Sequence, residues 1–304
     1  MPKAYVFTRY GGPEAEAFVD VDRPSPGAGQ VLVAVRAAGV NPVDWKQRTG
    51  YRRPGESGGR DFPAYFGNEV SGVIVEAGEG VEGFAVGDPV FGPPVVGGYS
   101  EYALLSVDLI AHKPAALSFT DAATLPVAGA TAYDGIRQLD LPAGATVLVT
   151  GAGGGVGVAA VQIARALGLR AVGVASAAKK DFVESLGAQH VASGPGWTVR
   201  VPGRVDGVYD LVGGDVLEAA ATLLTDRTKL ITAGAPAEVV EKLGGARVAR
   251  VRTSDRLAAV ADLVVSGDLD PHVTRTFPLE RAGEALRTVE EGHARGKIVI
   301  EVAG

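Results

Sequence analysis

The sequence predicts an α/β chain of two domains, one rich in short β-strands and one built on a doubly wound parallel sheet with helices on both faces. Three observations predict it. Residues 1–118 carry short apolar runs punctuated by Gly and Pro; from Ser118 onward helical stretches alternate with strands of buried character; and one of those strands runs through a glycine turn straight into a helix. With 304 residues, 46% hydrophobic and 21% charged, the chain has enough apolar surface for two cores.

In the first domain the predicted strands are Ala4–Thr8, Gln30–Ala38, Val70–Ala77, Pro89–Gly92 and Ser100–Leu105, separated by turns at Pro24–Gly29, Asn41-Pro42, Pro54–Gly59, Gly78–Gly83 and Gly87-Asp88-Pro89. Ser118 to Asp121 opens a helical stretch through Ala123, and a second predicted helix covers Thr131–Leu139. Predicted strands Thr146–Thr150, Arg170–Ala175, Gly207–Leu211 and Lys229–Thr232 then alternate with predicted helices Gly157–Leu167 and Lys179–Leu186, the order of a parallel sheet. At the C-terminal end, Pro278–His293 reads as a helix and Lys297–Val302 as a closing strand that returns to the first domain.

Composition narrows the chemistry. The absence of cysteine removes disulfides, thiol nucleophiles and every zinc site that needs a thiolate, so any redox chemistry is borrowed from a cofactor. A net charge of −6, without a block of like charges, argues against a nucleic-acid or anionic-membrane surface. The N-terminus lacks a basic segment followed by an apolar run, and no stretch reaches about 18 uninterrupted apolar residues, so a cytoplasmic protein is expected.

The strongest local signal is Val147 to Gly157 followed by the helical run to Leu167. Within it, Ala152-x-Gly154-x-x-Gly157 has the spacing of a dinucleotide fingerprint, with Ala in the first glycine's place. The unpaired N–H groups of a helix's first turn, at the positive end of its dipole, attract a diphosphate, and small residues let it reach the backbone. Ala152, Gly154, Gly155, Val156 and Gly157 are therefore the candidate cofactor residues. About 20 residues on, where an Asp or Glu would bond the ribose diol of NAD, the segment is Val172 to Lys180 and the acid is missing. Ser176 and Lys179 (or Lys180) instead suit a 2′-phosphate, so NADPH is the expected cofactor.

Several segments together resemble the zinc-free quinone oxidoreductase (zeta-crystallin-like) branch of the medium-chain dehydrogenase/reductase superfamily. They are Ala37 to Asp44, Gly67 to Gly78, Val86 to Phe91, Gly97 to Tyr102, Ala122 to Pro126 and Gly129 to Tyr133. The resemblance implies a GroES-like catalytic domain of residues 1–118 and 270–304, a Rossmann domain of residues 119–269, a cofactor in the cleft between them and a homodimer. It further implies hydride transfer from NADPH to a quinone or an α,β-unsaturated carbonyl. The zinc alcohol dehydrogenases of the same superfamily carry a zinc-binding His where this chain has Asn68 and a Cys near Asn41, so zinc chemistry is not expected.

By the same resemblance, Asn41 belongs on the substrate side and Thr131 near the nicotinamide, while Gly234 and Ala235 line its pocket through backbone. Asn41 before Pro42 is equally a turn former. Tyr51 is a candidate proton donor, as in related enoyl reductases, although counting from Asn41 puts that position at Arg52. Lys297 is read as a cofactor contact or else a solvated charge, and Asp44 and Glu69 as structural groups bonding backbone or an Arg. An enoyl-thioester reductase using Tyr51 is the alternative enzyme; an NADPH-binding structural protein with little turnover is the alternative of another class.

Other patterns fail on context. Gly55 to Gly59 matches the nucleophile-elbow spacing, but neither a buried strand before it nor a helix after it is predicted. His112, His190, His272 and His293 are scattered without metal-ligand spacing, and the glycine turn lacks the Lys-Ser/Thr ending of a P-loop.

Overall fold

The computed structural model describes residues 1–52, 60–292 and 294–303. The segment Gly55 to Gly59, the Pro54–Gly59 turn and His293 lie outside the described residues. The chain forms two compact units, one of Met1–Val127, Arg252–Asp262 and Val273–Gly304, the other of Ala128–Val251 and Leu263–His272.

The first unit contains β1 (Lys3–Phe7), β2 (Glu16–Asp20), β3 (Gln30–Val40), α1 (Pro42–Arg48), β4 (Ala64–Tyr65), β5 (Val70–Ala77), β6 (Pro89–Gly92), β7 (Pro94–Val96), β8 (Tyr102–Ser106), β9 (Ala111–His112) and α2 (Phe119–Ala122). The second contains α3 (Ala130–Gln138), β10 (Thr146–Thr150), α4 (Gly155–Ala166), β11 (Arg170–Ala175), α5 (Lys180–Ser185), β12 (Gln189–Ala192), β13 (Gly207–Asp210), α6 (Gly214–Ala221), β14 (Leu230–Thr232), α7 (Ala237–Lys242) and β15 (Ala246–Arg247). Within α8 (Ser254–Val265) the chain passes from residues of one unit to residues of the other; β16 (Val273–Pro278), α9 (Ala282–Glu290) and β17 (Lys297–Glu301) complete the first.

Strand β3 organises the first unit. It is antiparallel to β5, β8 and β17, and register shifts at Leu32/Val33 and Val35/Ala37 bend it so that it can serve all three. The larger sheet runs β16-β17-β3-β5-β6-β9, and a smaller one runs β2-β1-β4. In the core Phe7 lies tilted against Phe66 at a centroid distance of 4.9 Å, and Phe66 stacks on Tyr99 at 6.0 Å. Such pairs add about 0.5–1.5 kcal/mol each beyond the area they bury.

The second unit is a parallel sheet in the order β12-β11-β10-β13-β14-β15. All five residues of β10 are buried, because helices cover both faces and the strand must be apolar on each side. The chain starts in the middle at β10, moves outward through β11 and β12, then returns to place β13 on the other flank. The order reverses between β10 and β13, and open parallel sheets take their ligands in the crevice beyond the carboxyl ends at such a point, which is where the glycine turn lies.

Some local expectations need correcting. Asn41-Pro42 is the N-cap and first residue of α1, since proline's fixed φ suits a first helical position. Pro278 closes β16 in an extended conformation and caps a short 3-10 turn, Leu279–Arg281, from which the α-helix continues at Ala282. Helix α4 starts at Gly155, two residues earlier than predicted. Strands β12 and β15 escape the sequence pattern because they are the two edges of the parallel sheet, where Val191 is the one buried residue and no apolar run marks them.

Candidate functional site

In the second unit the glycine turn is built by two glycines with different duties. Gly151 has φ +67°, a left-handed conformation that side chains resist. At Gly157 an added Cβ would lie 2.2 Å from the Gly151 carbonyl oxygen and 2.6 Å from the Ala152 Cα, so this glycine lets α4 start against the turn. Gly154 differs from both. Its φ of −95° is ordinary, and an added Cβ would meet nothing closer than the Gly151 oxygen at 3.5 Å. Packing therefore tolerates a methyl at Gly154; what a methyl would obstruct is the space in front of the helix end. Gly154 is the N-cap and offers no side chain, so the N–H groups of Gly155, Val156 and Gly157 face outward from the first turn.

The predicted phosphate-binding residues lie around this turn. Ser176 is exposed at the end of β11, in the place of the missing carboxylate. The methylenes of Lys179 lie on Gly153, whose added Cβ would sit 2.5 Å from the lysine Cδ. Ala152 is buried, and its N–H donates to the Val174 carbonyl at 3.1 Å, tying the turn to β11. Gly234 and Ala235 follow β14, but both their N–H groups donate to the Thr232 hydroxyl, at 3.0 and 3.2 Å. Any backbone contact to a ligand from Gly234 thus falls to its carbonyl.

Thr131 lies in α3 and is held at both ends. The Tyr209 hydroxyl donates to its carbonyl at 2.7 Å, and Arg250 donates to its hydroxyl while its Nε donates to Asp134 at 3.1 Å. Burial pushes the Tyr209 phenol far above its usual range, so it stays a donor. Gly135 makes room for it: an added Cβ there would lie 2.2 Å from the Tyr209 ring.

In the first unit, the segments that carried the resemblance converge on a buried polar network. The Asn41 backbone N–H donates to Asp44 at 2.7 Å, while its side chain turns inward to donate to Glu69 at 2.8 Å and accept from Lys297 at 2.9 Å. Lys297 also donates to the Val40 carbonyl at 3.0 Å and to Glu69 at 2.7 Å. Asp44 further accepts from the Tyr99 hydroxyl at 2.8 Å and from Asn68. The second Glu69 oxygen accepts from the Val127 N–H at 2.7 Å. Burial raises the Asp44 carboxyl to about 6, against the hydrogen bonds donated to it and with some help from the Glu69 charge.

Lys297 is therefore not the solvated charge considered as one reading of the sequence. It is 3% exposed, because β17 pairs with β3 in the register Ile298 to Val40 and sets the lysine beside Asn41. All three of its ammonium hydrogens have acceptors within the unit, which leaves none for a cofactor. Asp44 and Glu69 do bond backbone, at the Asn41 and Val127 N–H groups, while the cation beside Glu69 is this lysine and not an arginine. Among the described residues the buried arginine is Arg48, which pairs with Glu16 and with both Glu290 oxygens and binds α1 to α9. Tyr51 lies just past α1, 37% exposed, and its N–H donates to the Lys46 carbonyl. The seven residues of α1, a rise of roughly 10 Å, lie between it and Asn41.

Sequence reasoning missed Tyr209, Arg250 and Asp210. The parallel strands β10, β13 and β14 end in Thr150, Asp210 and Thr232, each buried. Polar residues closing neighbouring apolar strands are the signal that would have found Asp210.

Two family models match the chain: an alcohol dehydrogenase GroES-like domain over residues 27–115 and a zinc-binding dehydrogenase over residues 186–300. Among curated relatives, a chloroplast envelope quinone oxidoreductase homolog of Arabidopsis thaliana is 31% identical, with 98% of each chain covered. A chloroplastic NADPH-dependent alkenal/one oxidoreductase of the same plant is 30% identical over 98% of this chain and 79% of its own. The solved quinone oxidoreductase of Coxiella burnetii superposes with a TM-score of 0.91 at 31% identity, covering 99% of both chains.

The donors here do not fit zinc. The chain has no cysteine, Asn68 donates to Asp44 and Gln47, and among the described residues no three His, Cys, Asp or Glu side chains gather into a group fit for a metal. The expected fold holds: a GroES-like antiparallel half-barrel accompanies a six-stranded, Rossmann-like parallel sheet. The chain belongs to the medium-chain dehydrogenase/reductase superfamily, in its quinone-oxidoreductase-like branch.

Proposed function

We propose that the chain is an NADPH-dependent reductase that delivers hydride to a quinone or to an alkene conjugated with a carbonyl, without a metal. One observation carries the reading: Gly154 is a glycine that neither backbone conformation nor packing requires, set directly before three outward N–H groups at the crevice of a parallel sheet. The relatives named for quinone and for NADPH-dependent alkenal/one reduction support the same class.

The bound dinucleotide would supply the hydride. The N–H groups of Gly155, Val156 and Gly157 hold the diphosphate, and the Ser176 hydroxyl and Lys179 ammonium take the 2′-phosphate. Ala152 fixes the turn; Gly234, Ala235 and Thr131 border the nicotinamide, with Thr131 kept in place by Tyr209 and Arg250. Asn41, itself anchored by Lys297 and Glu69, shapes the substrate side, and solvent returns the proton to the product. The homodimer implied by the resemblance belongs to the same proposal and is read from the mass in solution.

Cofactor choice is tested by combining Lys179→Ala with Ser176→Asp. The dissociation constant for NADPH is expected to rise about 10²-fold relative to that for NADH, two lost charged hydrogen bonds and one added repulsion. Unchanged NADPH affinity would refute the phosphate assignment. Turnover across quinones, enones and enoyl thioesters then identifies the acceptor.

A further inference from the structure

We infer that Asp210 is the positioning residue for the dinucleotide, a carboxylate that locks together the three turns bordering the crevice. The inference rests on the dinucleotide reading and extends it to a residue that touches no ligand.

Asp210 is fully buried at the end of β13. Its Oδ1 accepts from the Thr150 hydroxyl at 2.7 Å and from the Val212 N–H at 3.2 Å; its Oδ2 accepts from the Thr232 hydroxyl at 2.6 Å; and the Gly213 N–H reaches both oxygens, at 3.2 and 3.0 Å. Each threonine hands the restraint on. The Thr150 oxygen accepts from the Leu211 N–H at 3.0 Å, and the Thr232 oxygen holds the Gly234 and Ala235 N–H groups. A single carboxylate thus fastens the ends of β10, β13 and β14, together with the turns that follow β13 and β14.

The turns are also packed on one another, Gly234 against the backbone of the 211–213 turn and Gly151 against its side chains. An added Cβ on Gly234 would lie 2.6 Å from the Val212 nitrogen and 2.8 Å from the Gly213 nitrogen, and one on Gly151 would lie 3.3 Å from Val212 Cγ2. The glycine turn therefore rests on the 211–213 turn, which rests on Gly234. Burying a carboxylate whose partners are hydroxyls and amides is expensive, and an apolar residue would close a parallel strand more cheaply. What the carboxylate adds is geometry: it fixes the diphosphate side and the Gly234 side of the crevice relative to each other, within the second unit. Slack at one threonine is then transmitted to the other turn.

The test uses Thr232→Val and Thr232→Ser in the full-length protein, with NADPH titrated by nicotinamide fluorescence well below each Tm, and adenosine 2′-monophosphate titrated by competition. Thr232→Val should weaken NADPH about tenfold, Thr232→Ser should restore it, and both should bind adenosine 2′-monophosphate within about twofold of wild type, because that ligand spans only the β11 side. Asp210→Asn should weaken NADPH at least as much; should it fail to fold, the threonine pair decides. A lowered Tm with wild-type NADPH affinity would reduce Asp210 to a structural group and overturn the inference, as would equal losses for both ligands. Wild type binding neither NADPH nor NADH would overturn the dinucleotide reading itself, and this inference with it.

Discussion

The polar network of the first unit and the glycine turn of the second treat their hydrogen-bonding groups in opposite ways. Around Asn41, Glu69 and Lys297 donors meet acceptors inside the protein, and all three lysine hydrogens are used. At the start of α4, three N–H groups face outward past a glycine that could accept a methyl. The contrast teaches where to look for a ligand. A saturated network fixes geometry, whereas uncapped amides beside an unneeded glycine leave a place for something else to complete.

Breaking the saturated side should cost the most. Lys297→Met strands the Glu69 carboxylate in a buried setting and is expected to destabilise the protein by about 3–5 kcal/mol in urea unfolding. A smaller loss than from an exposed pair, about 1 kcal/mol or less, would contradict the network's burial.

Next comes the pH dependence of Asp44, which faces Glu69, Tyr99, Asn68 and Asn41. Its folded-state value of about 6 exceeds the unfolded value of 3.8, so the folded protein holds the proton more tightly. The stability it contributes is fully present below about pH 4 and is lost as pH rises through about 6, by up to about 3 kcal/mol. The stability difference between wild type and Asp44→Asn should fall across that window; a flat difference would show that Asp44 titrates normally.

The open side is probed more gently. Gly154→Ala should leave stability within about 1 kcal/mol, slightly raised if anything, yet weaken NADPH about tenfold or more. Gly157→Ala, which must move the Gly151 carbonyl, should lower both stability and affinity. Equal behaviour of the two alanines would erase the distinction between a glycine kept for packing and one kept for a ligand. The smallest effect is expected from Tyr51→Phe, with quinone turnover reduced less than about threefold; a loss near 10² would make Tyr51 the acid.

Much of this was legible in the sequence where chemistry is local. The glycine turn, the apolar strands flanking it and the missing acid at Ser176 are contiguous signals, and the parallel sheet follows from their order. Lys297 was not legible, because its partners lie more than 200 residues away and only the β17–β3 register brings them together. Asp210 was missed for a related reason: its bonds to Thr150 and Thr232 exist only once three strands lie side by side. Asn41 read as a turn because an N-cap and a turn share their residue preferences.

Amide hydrogen exchange at Gly155, Val156 and Gly157, with and without NADPH, bears most directly on the account. Strong protection of these three amides on adding NADPH is the predicted result, with little change at Asn41 or Lys297. Saturating NADPH that leaves the three amides exchanging as in the free protein would contradict it.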